Sequence, residues 1–168
     1  IKSTLHIDSL TNDTEQKNLQ DQWNFQINKH YDEVCCQNLY NGNGFKRISK
    51  ILDNKEFFVV SAGLGLLSSK NKIPSYEASV KHFKEKIGVQ NGVKFDYASW
   101  WKFLCSTKYS LPRISSLVSD KDLILISVSS EYLNSARIEF IFLTNQATKI
   151  FCKKCDRSSV KQFFKFKK

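Results

Sequence analysis

A run of four apolar residues that ends abruptly in small ones constrains this chain more than any other feature. Phe57-Phe58-Val59-Val60 stops at Ser61-Ala62-Gly63-Leu64-Gly65-Leu66-Leu67. The unbroken apolar character of Phe57 to Val60 predicts a strand over Glu56 to Ser61 that is covered on both faces. A buried strand opening into a small-residue loop is the favoured ligand position of open α/β sheets. Glycines at 63 and 65 permit positive φ and let backbone N–H groups approach a ligand, and Ser61 adds a hydroxyl at the strand's carboxyl end. Such a loop can cradle a phosphate or an oxyanion. It lacks the third glycine of a dinucleotide fingerprint, the Gly-Lys-Ser/Thr of a P-loop and the G-x-S-x-G of a nucleophile elbow. The competing reading is a tight turn whose glycines only relieve strain.

The rest of the chain alternates helices with strands. Leu19, Trp23, Ile27 and Tyr31 recur at four-residue spacing, which predicts a helix within Thr11 to His30. Thr11 or Asn12 is positioned to cap it, with Glu15 completing a capping box. A second helical stretch runs to Leu39, and the double-glycine turn from Tyr40 to Phe45 leads into a short amphipathic helix through Ile48 and Ile51-Leu52. After the loop, Ile73-Pro74-Ser75-Tyr76 enters a helix from Glu77 to Ile87 with Val80, Phe83 and Ile87 on one face. Another helix carries Tyr97, Trp100, Trp101 and Leu104, and Leu111-Pro112 opens a further short one. Lys121 to Val128 reads as a second buried strand and Arg137 to Leu143 as a third, separated by a helix around Ser130 to Ala136. This order predicts a single α/β domain with a mostly parallel central sheet flanked by helices. Its parts are a helical N-terminal part (1–38), an α/β core with the glycine-rich loop (39–150) and a basic-aromatic C-terminal tail (151–168).

At 168 residues, with 41% hydrophobic residues, the chain can build a core without staples. No apolar run approaches the ~18–20 residues of a membrane span, and Ile1-Lys2-Ser3-Thr4 is no signal sequence; we expect a cytoplasmic protein. A chain without Met reads as trimmed or as a piece of something longer. Five Cys without an export signal argue for reduced thiols. Cys152-Lys-Lys-Cys155 has the spacing of half a zinc site, but no second pair comes after it. We therefore assign no metal and no cofactor.

Charge points to a partner. Twenty-six Lys and Arg against 16 Asp and Glu give +10, which attracts polyanions. From Phe151 onward Lys153, Lys154, Arg157, Lys161, Lys165, Lys167 and Lys168 stand against Asp156 alone, and Phe151, Phe163, Phe164 and Phe166 interleave with them. Cations for phosphates beside rings for stacking suit a nucleic-acid contact. The same pattern also fits a final strand or helix with a solvated face, and an AT-rich genome inflates Lys and Phe.

Three segments are expected to converge on the loop. Tyr40-Asn41-Gly42 precedes it, Tyr76-Glu77 comes after it, and Ser130-Glu131-Tyr132 follows the second buried strand at its carboxyl end. The candidate ligand set is Tyr40, Asn41, Gly42, Ser61, Gly63, Gly65 and Tyr76. Glu77 and Glu131 are the candidate general acid/base groups, because the three His (His6, His30, His82) are poorly placed by sequence.

Leu39-Tyr40-Asn41-Gly42-Asn43-Gly44-Phe45, Ser61-Ala62-Gly63-Leu64-Gly65-Leu66 and Ile73-Pro74-Ser75-Tyr76 together resemble a bacterial family of small domains distantly similar to the peroxide-stress protein YaaA. The Cys/Ser-x-x-Lys segment such domains often carry after a first strand has no counterpart here. The resemblance implies association with DNA or modified nucleobases in a stress or phage-defence setting, and no particular reaction. Three readings are open. The first is a nucleic-acid-associated domain that binds DNA or RNA or assists its modification. The second is an enzyme acting on a nucleotide, nucleoside or glycosyl substrate at the loop. The third is a non-catalytic subunit of a larger assembly, with Trp100-Trp101 as a patch for a protein partner.

Overall fold

In the computed structural model, which describes residues 4–40, 42–52, 55, 57–87, 94–113, 124–136 and 148–153, the four-residue stripe becomes helix α1 (Gln16–Lys29). Leu19, Trp23 and Ile27 are fully buried, as expected of residues one turn apart on one face. Tyr31 lies beyond the helix end at His30 and is 88% exposed, so the stripe stops at Ile27. No side chain caps α1 at Glu15. Instead Asp13 Oδ1 accepts the Glu15 N–H (2.9 Å), and that bond holds the Asp13 carboxyl below its ordinary pKa.

Preceding α1 are a two-residue strand, β1 (Leu5–His6), and a single 3-10 turn (Ile7–Ser9). Next come β2 (Glu33–Cys35), the one-turn α2 (Cys36–Leu39) and α3 (Asn43–Ile51). The apolar run forms β3 (Phe58–Ser61), followed by β4 (Gly65–Ser68), β5 (Lys72–Pro74) and β6 (Tyr76–Glu77). Helices α4 (Val80–Lys86) and α5 (Tyr97–Cys105) complete the well-packed part. Then β7 (Ile124–Ser129) runs into α6 (Ser130–Ser135), and β8 (Thr148–Lys153) comes last. Ser79 caps α4 and Asp96 caps α5 through their side-chain oxygens, the task for which short polar side chains are suited. Leu111 to Arg113 is not helical, and the continuation from 114 lies outside the described residues.

The described strands pair two at a time instead of joining into one mostly parallel sheet. β1–β6 and β7–β8 are parallel, whereas β2–β5 and β3–β4 are antiparallel. The β7–α6–β8 order is a parallel crossover of the α/β kind. The expected third strand, Arg137 to Leu143, lies outside the described residues. For β3 the double-sided burial is corrected. Phe58 is 40% exposed while Val59 is buried, so the strand alternates. Phe58 and half-buried Val60 share the less buried face of β3, whereas β4 is buried along its whole length; large apolar residues on that face of β3 mimic a fully buried run. The N-terminal part is tied to the rest of the chain: β1 pairs with β6, β2 with β5, and α1 supplies Trp23 to the core.

That core is a chain of rings. Phe57, Phe45, Tyr40, Tyr76, Trp23, Phe83, Trp100 and Phe95 succeed one another with centroid separations of 4.5 to 6.4 Å, mostly tilted or edge-to-face as ring quadrupoles favour. Two indoles have a second task. Trp23 Nε1–H donates to the Gly63 carbonyl (2.7 Å) and Trp100 Nε1–H to the Ala62 carbonyl (3.1 Å). Helices α1 and α5 thus hold the β3–β4 turn from consecutive carbonyls. They also hold each other, since the Gln16 amide donates to the Asp96 carbonyl (2.9 Å) and accepts the Asp96 N–H (2.8 Å). Among the described residues no helix is long and apolar enough to cross a membrane.

Replacing Trp23 with Phe keeps a ring and leaves a buried carbonyl without its donor. We expect a loss of about 1–3 kcal/mol in chemical denaturation, with Trp100→Phe behaving alike.

Candidate functional site

The Ser61–Gly65 loop is the turn of the β3–β4 hairpin, and Ser61 pairs with Gly65 across it. Every residue from Ser61 to Ser69 is buried. Gly65 takes φ +81°, a conformation that glycine adopts without penalty. A Cβ on Gly65 would stand 2.6 Å from Ser110 Oγ and 3.2 Å from the Leu104 backbone carbon. On Gly63 a Cβ would meet the Trp23 ring at 2.9 Å and the Tyr76 ring at 3.0 Å. The glycines therefore make room for indole, phenol and backbone from this same chain. The turn's polar groups are likewise engaged internally. Two carbonyls take the indole protons, and the Leu64 N–H donates to Ser61 Oγ (3.0 Å). On the next strand, Ser110 Oγ accepts the Leu66 N–H (3.0 Å).

Ser61 Oγ lies 2.6 Å from Tyr76 OH, which lies 3.0 Å from Tyr40 OH. The three expected segments do meet in part: Tyr40 from the end of α2, Ser61 from β3 and Tyr76 from β6 form one hydroxyl chain. Tyr132, on α6, is close enough for Tyr76 to influence it. Burial is the leading cause that raises the phenols of Tyr40, Tyr76 and Tyr132 above the ordinary tyrosine value. The Cys36 thiol beside them is pushed up to about 12, by burial first and then by the neighbouring Cys35. These groups stay neutral at physiological pH. Ser61 and Tyr76 are buried, Tyr40 is half-buried, and the chain of hydroxyls satisfies their polar groups internally.

Glu77 goes elsewhere. On a strand, neighbours point to opposite faces, so Tyr76 enters the core and Glu77 the surface, where it lies 3.6 Å from His6 Nδ1. Glu77 lines an open cleft of about 280 Å³ with His6, Asp8, Asn12, His82, Glu85 and Lys86. Two of the three histidines thus share a cleft that residue order alone does not disclose. Its carboxylates make it a poor seat for phosphate, and Lys86 Nζ is turned to the Leu10 carbonyl (3.0 Å). Among the described residues no cluster of three or more His, Cys, Asp or Glu can hold a metal.

Glu131 sits half-buried in the first turn of α6. Gly42 is the exposed residue preceding α3, with open space where a Cβ would stand. Asn41 lies outside the described residues, as do Lys154, Cys155, Arg157, Lys161 and Lys165; Cys152 and Lys153 are part of the β8 backbone. Trp100 and Trp101 are both buried, so they present no exposed patch.

Sequence reasoning missed the carbonyl-holding role of Trp23 and Trp100, although a buried indole N–H needs an acceptor. It also missed β4. The signal was there: an apolar run, a three-residue small turn and a second apolar run, Gly65-Leu66-Leu67, make a hairpin pattern. Nothing in the order of residues marked Ser110.

Gly65→Val should unfold the protein and not merely blunt a surface property, because strain at positive φ adds to overlap with Leu104; circular dichroism reads this directly. Stability should also fall in alkali. Cys36 (9.0 when unfolded, about 12 when folded) and the phenols (10.0 when unfolded, higher when folded) bind protons more tightly in the native state. Their contribution is complete below pH 9 and is lost as pH rises through the folded values. Denaturant midpoints measured from pH 7 to 11 should be flat up to 9 and then drop, with a shallower drop in Tyr76→Phe. Compared with models of known protein families, with curated proteins and with solved structures, the chain matches none.

Proposed function

We propose that the chain is a nucleic-acid-associated domain, which binds DNA or RNA or assists its modification in a bacterial stress or defence setting inside the cell. The net charge of +10 carries this reading. No Lys or Arg from Lys17 to Arg113 among the described residues is buried. Only two lysine–carboxylate pairs, Lys17–Asp21 and Lys81–Glu85, stand within 4.0 Å there, and such exposed pairs hold their partners weakly. The cations of this stretch are therefore open to water to a large extent, where release of condensed counterions drives association with phosphate chains. The tail cations Lys153, Lys154, Arg157, Lys161 and Lys165 belong to the same proposal, as does the motif resemblance to YaaA-like domains. The buried loop argues against an enzyme that works on a nucleotide at Ser61–Gly65.

Fluorescence anisotropy with single- and double-stranded oligonucleotides tests it. Affinity should fall about 10-fold or more between 50 and 200 mM salt. Absent or salt-insensitive binding to every oligonucleotide would end the reading.

A further inference from the structure

The sequence alone drew attention to the C-terminal tail as the nucleic-acid contact, but the described residues carry a cationic face as well. Residues 36–52 contain no Asp or Glu, yet hold Lys46, Arg47 and Lys50. All three are exposed, and all lie on α3. At i, i+1 and i+4 they span about 6 Å of helix rise, a single turn and a little more. None forms an ion pair among the described residues.

The opposite side of α3 is fixed in place. Phe45 stacks at 5.2 Å on Tyr40 and 5.7 Å on Phe57, so the cations stand on a helix anchored to the aromatic core. The hairpin extends the face. Leu52 turns the chain back through the Lys55 N–H (2.7 Å), and the Ser69 N–H donates to the Phe57 carbonyl (2.8 Å). Lys70 comes directly after Ser69 and Lys55 two residues before Phe57, and both are exposed. The acids of this stretch, Asp53 and Glu56, lie outside the described residues; over 46–72 the sequence count is six cations to two anions.

We propose that α3, with Lys46, Arg47 and Lys50, is the surface that docks the phosphate backbone of a nucleic acid, with Lys55 and Lys70 at its margin. This rests on the nucleic-acid reading above and deepens it by naming the contact. Charge complementarity selects the occupant: a row of cations on a helix without Asp or Glu, anchored through Phe45, suits a polyanion. A membrane surface fits less well. An interfacial helix needs a broad apolar face for the acyl boundary, and here Phe45 is occupied by Tyr40 and Phe57, which leaves Ile51 (80% exposed) as the large apolar side chain facing out.

The test uses the whole chain and three variants: Lys46→Ala/Arg47→Ala/Lys50→Ala, a control that removes as many charges elsewhere (Lys17→Ala/Lys81→Ala/Lys102→Ala), and removal of residues 154–168. Circular dichroism first verifies that each remains folded. Probes are 20-mer single- and double-stranded DNA and RNA, and vesicles with and without phosphatidylserine. The α3 variant should bind the best oligonucleotide about 10- to 100-fold more weakly at 0.1 M salt, with a salt slope reduced by about 2–3. The control should lose clearly less. An α3 variant that binds like the parent, or a control that loses as much, overturns the assignment while leaving nucleic-acid binding intact. Loss only on tail removal does the same. A parent that binds phosphatidylserine vesicles and no oligonucleotide, or binds nothing, overturns both the assignment and the reading beneath it.

Discussion

Two indole N–H groups on two consecutive carbonyls organise this molecule. Trp23 and Trp100 come from helices 77 residues apart in the chain, by subtraction of their numbers, and both end on the turn of one hairpin. A turn's carbonyls usually face water; here they are buried and would each cost about 1–3 kcal/mol without a donor. The indoles answer that cost and bring their own apolar surface with them. The close approach requires Gly63 to be bare of side chain, and the strand return requires Gly65 at positive φ. Helix placement, turn geometry and glycine choice are thus one constraint viewed from three sides.

The Tyr40–Tyr76–Ser61 chain does for hydroxyls what the indoles do for carbonyls. Burying a phenol is favourable for its ring and costly for its oxygen. Pairing the oxygens with each other, and finally with the Leu64 N–H, satisfies them while their pKa values rise. A site built for chemistry at pH 7 does the opposite, bringing a titrating group toward neutrality. At this loop the contacts are those of structural hydrogen bonding within the core.

Helices were the legible part of the sequence. Leu19, Trp23 and Ile27, or Val80, Phe83 and Ile87, declare their faces because burial tracks the helical period, and the Trp100–Leu104 face did so as well. Strands were less legible. β4, β5 and β6 have two to four residues each, too short for alternation to emerge, and β1 and β6 are defined by each other. The site was legible as a meeting place and illegible as to purpose. Tyr40, Ser61 and Tyr76 converge as their positions around the loop suggested, but whether a glycine faces a ligand or a tryptophan depends on where α1 and α5 pack. That information is long-range. Glu77 failed for a local reason: its neighbour took the inward face.

Strand β6 is only the dipeptide Tyr76-Glu77, held in parallel register by Leu5 and His6. A slip of one residue would exchange every inward side chain for its neighbour, driving a carboxylate into the hydroxyl chain and a phenol out toward His6. Few pairings that small have so lopsided an alternative. The misaligned state would bury an unpaired acid, a penalty of several kcal/mol, so two residues suffice to define their own alignment. The dipeptide thereby acts as a vernier for the N-terminal segment, setting where β1 lies relative to the core by the chemical difference between adjacent side chains and not by strand length.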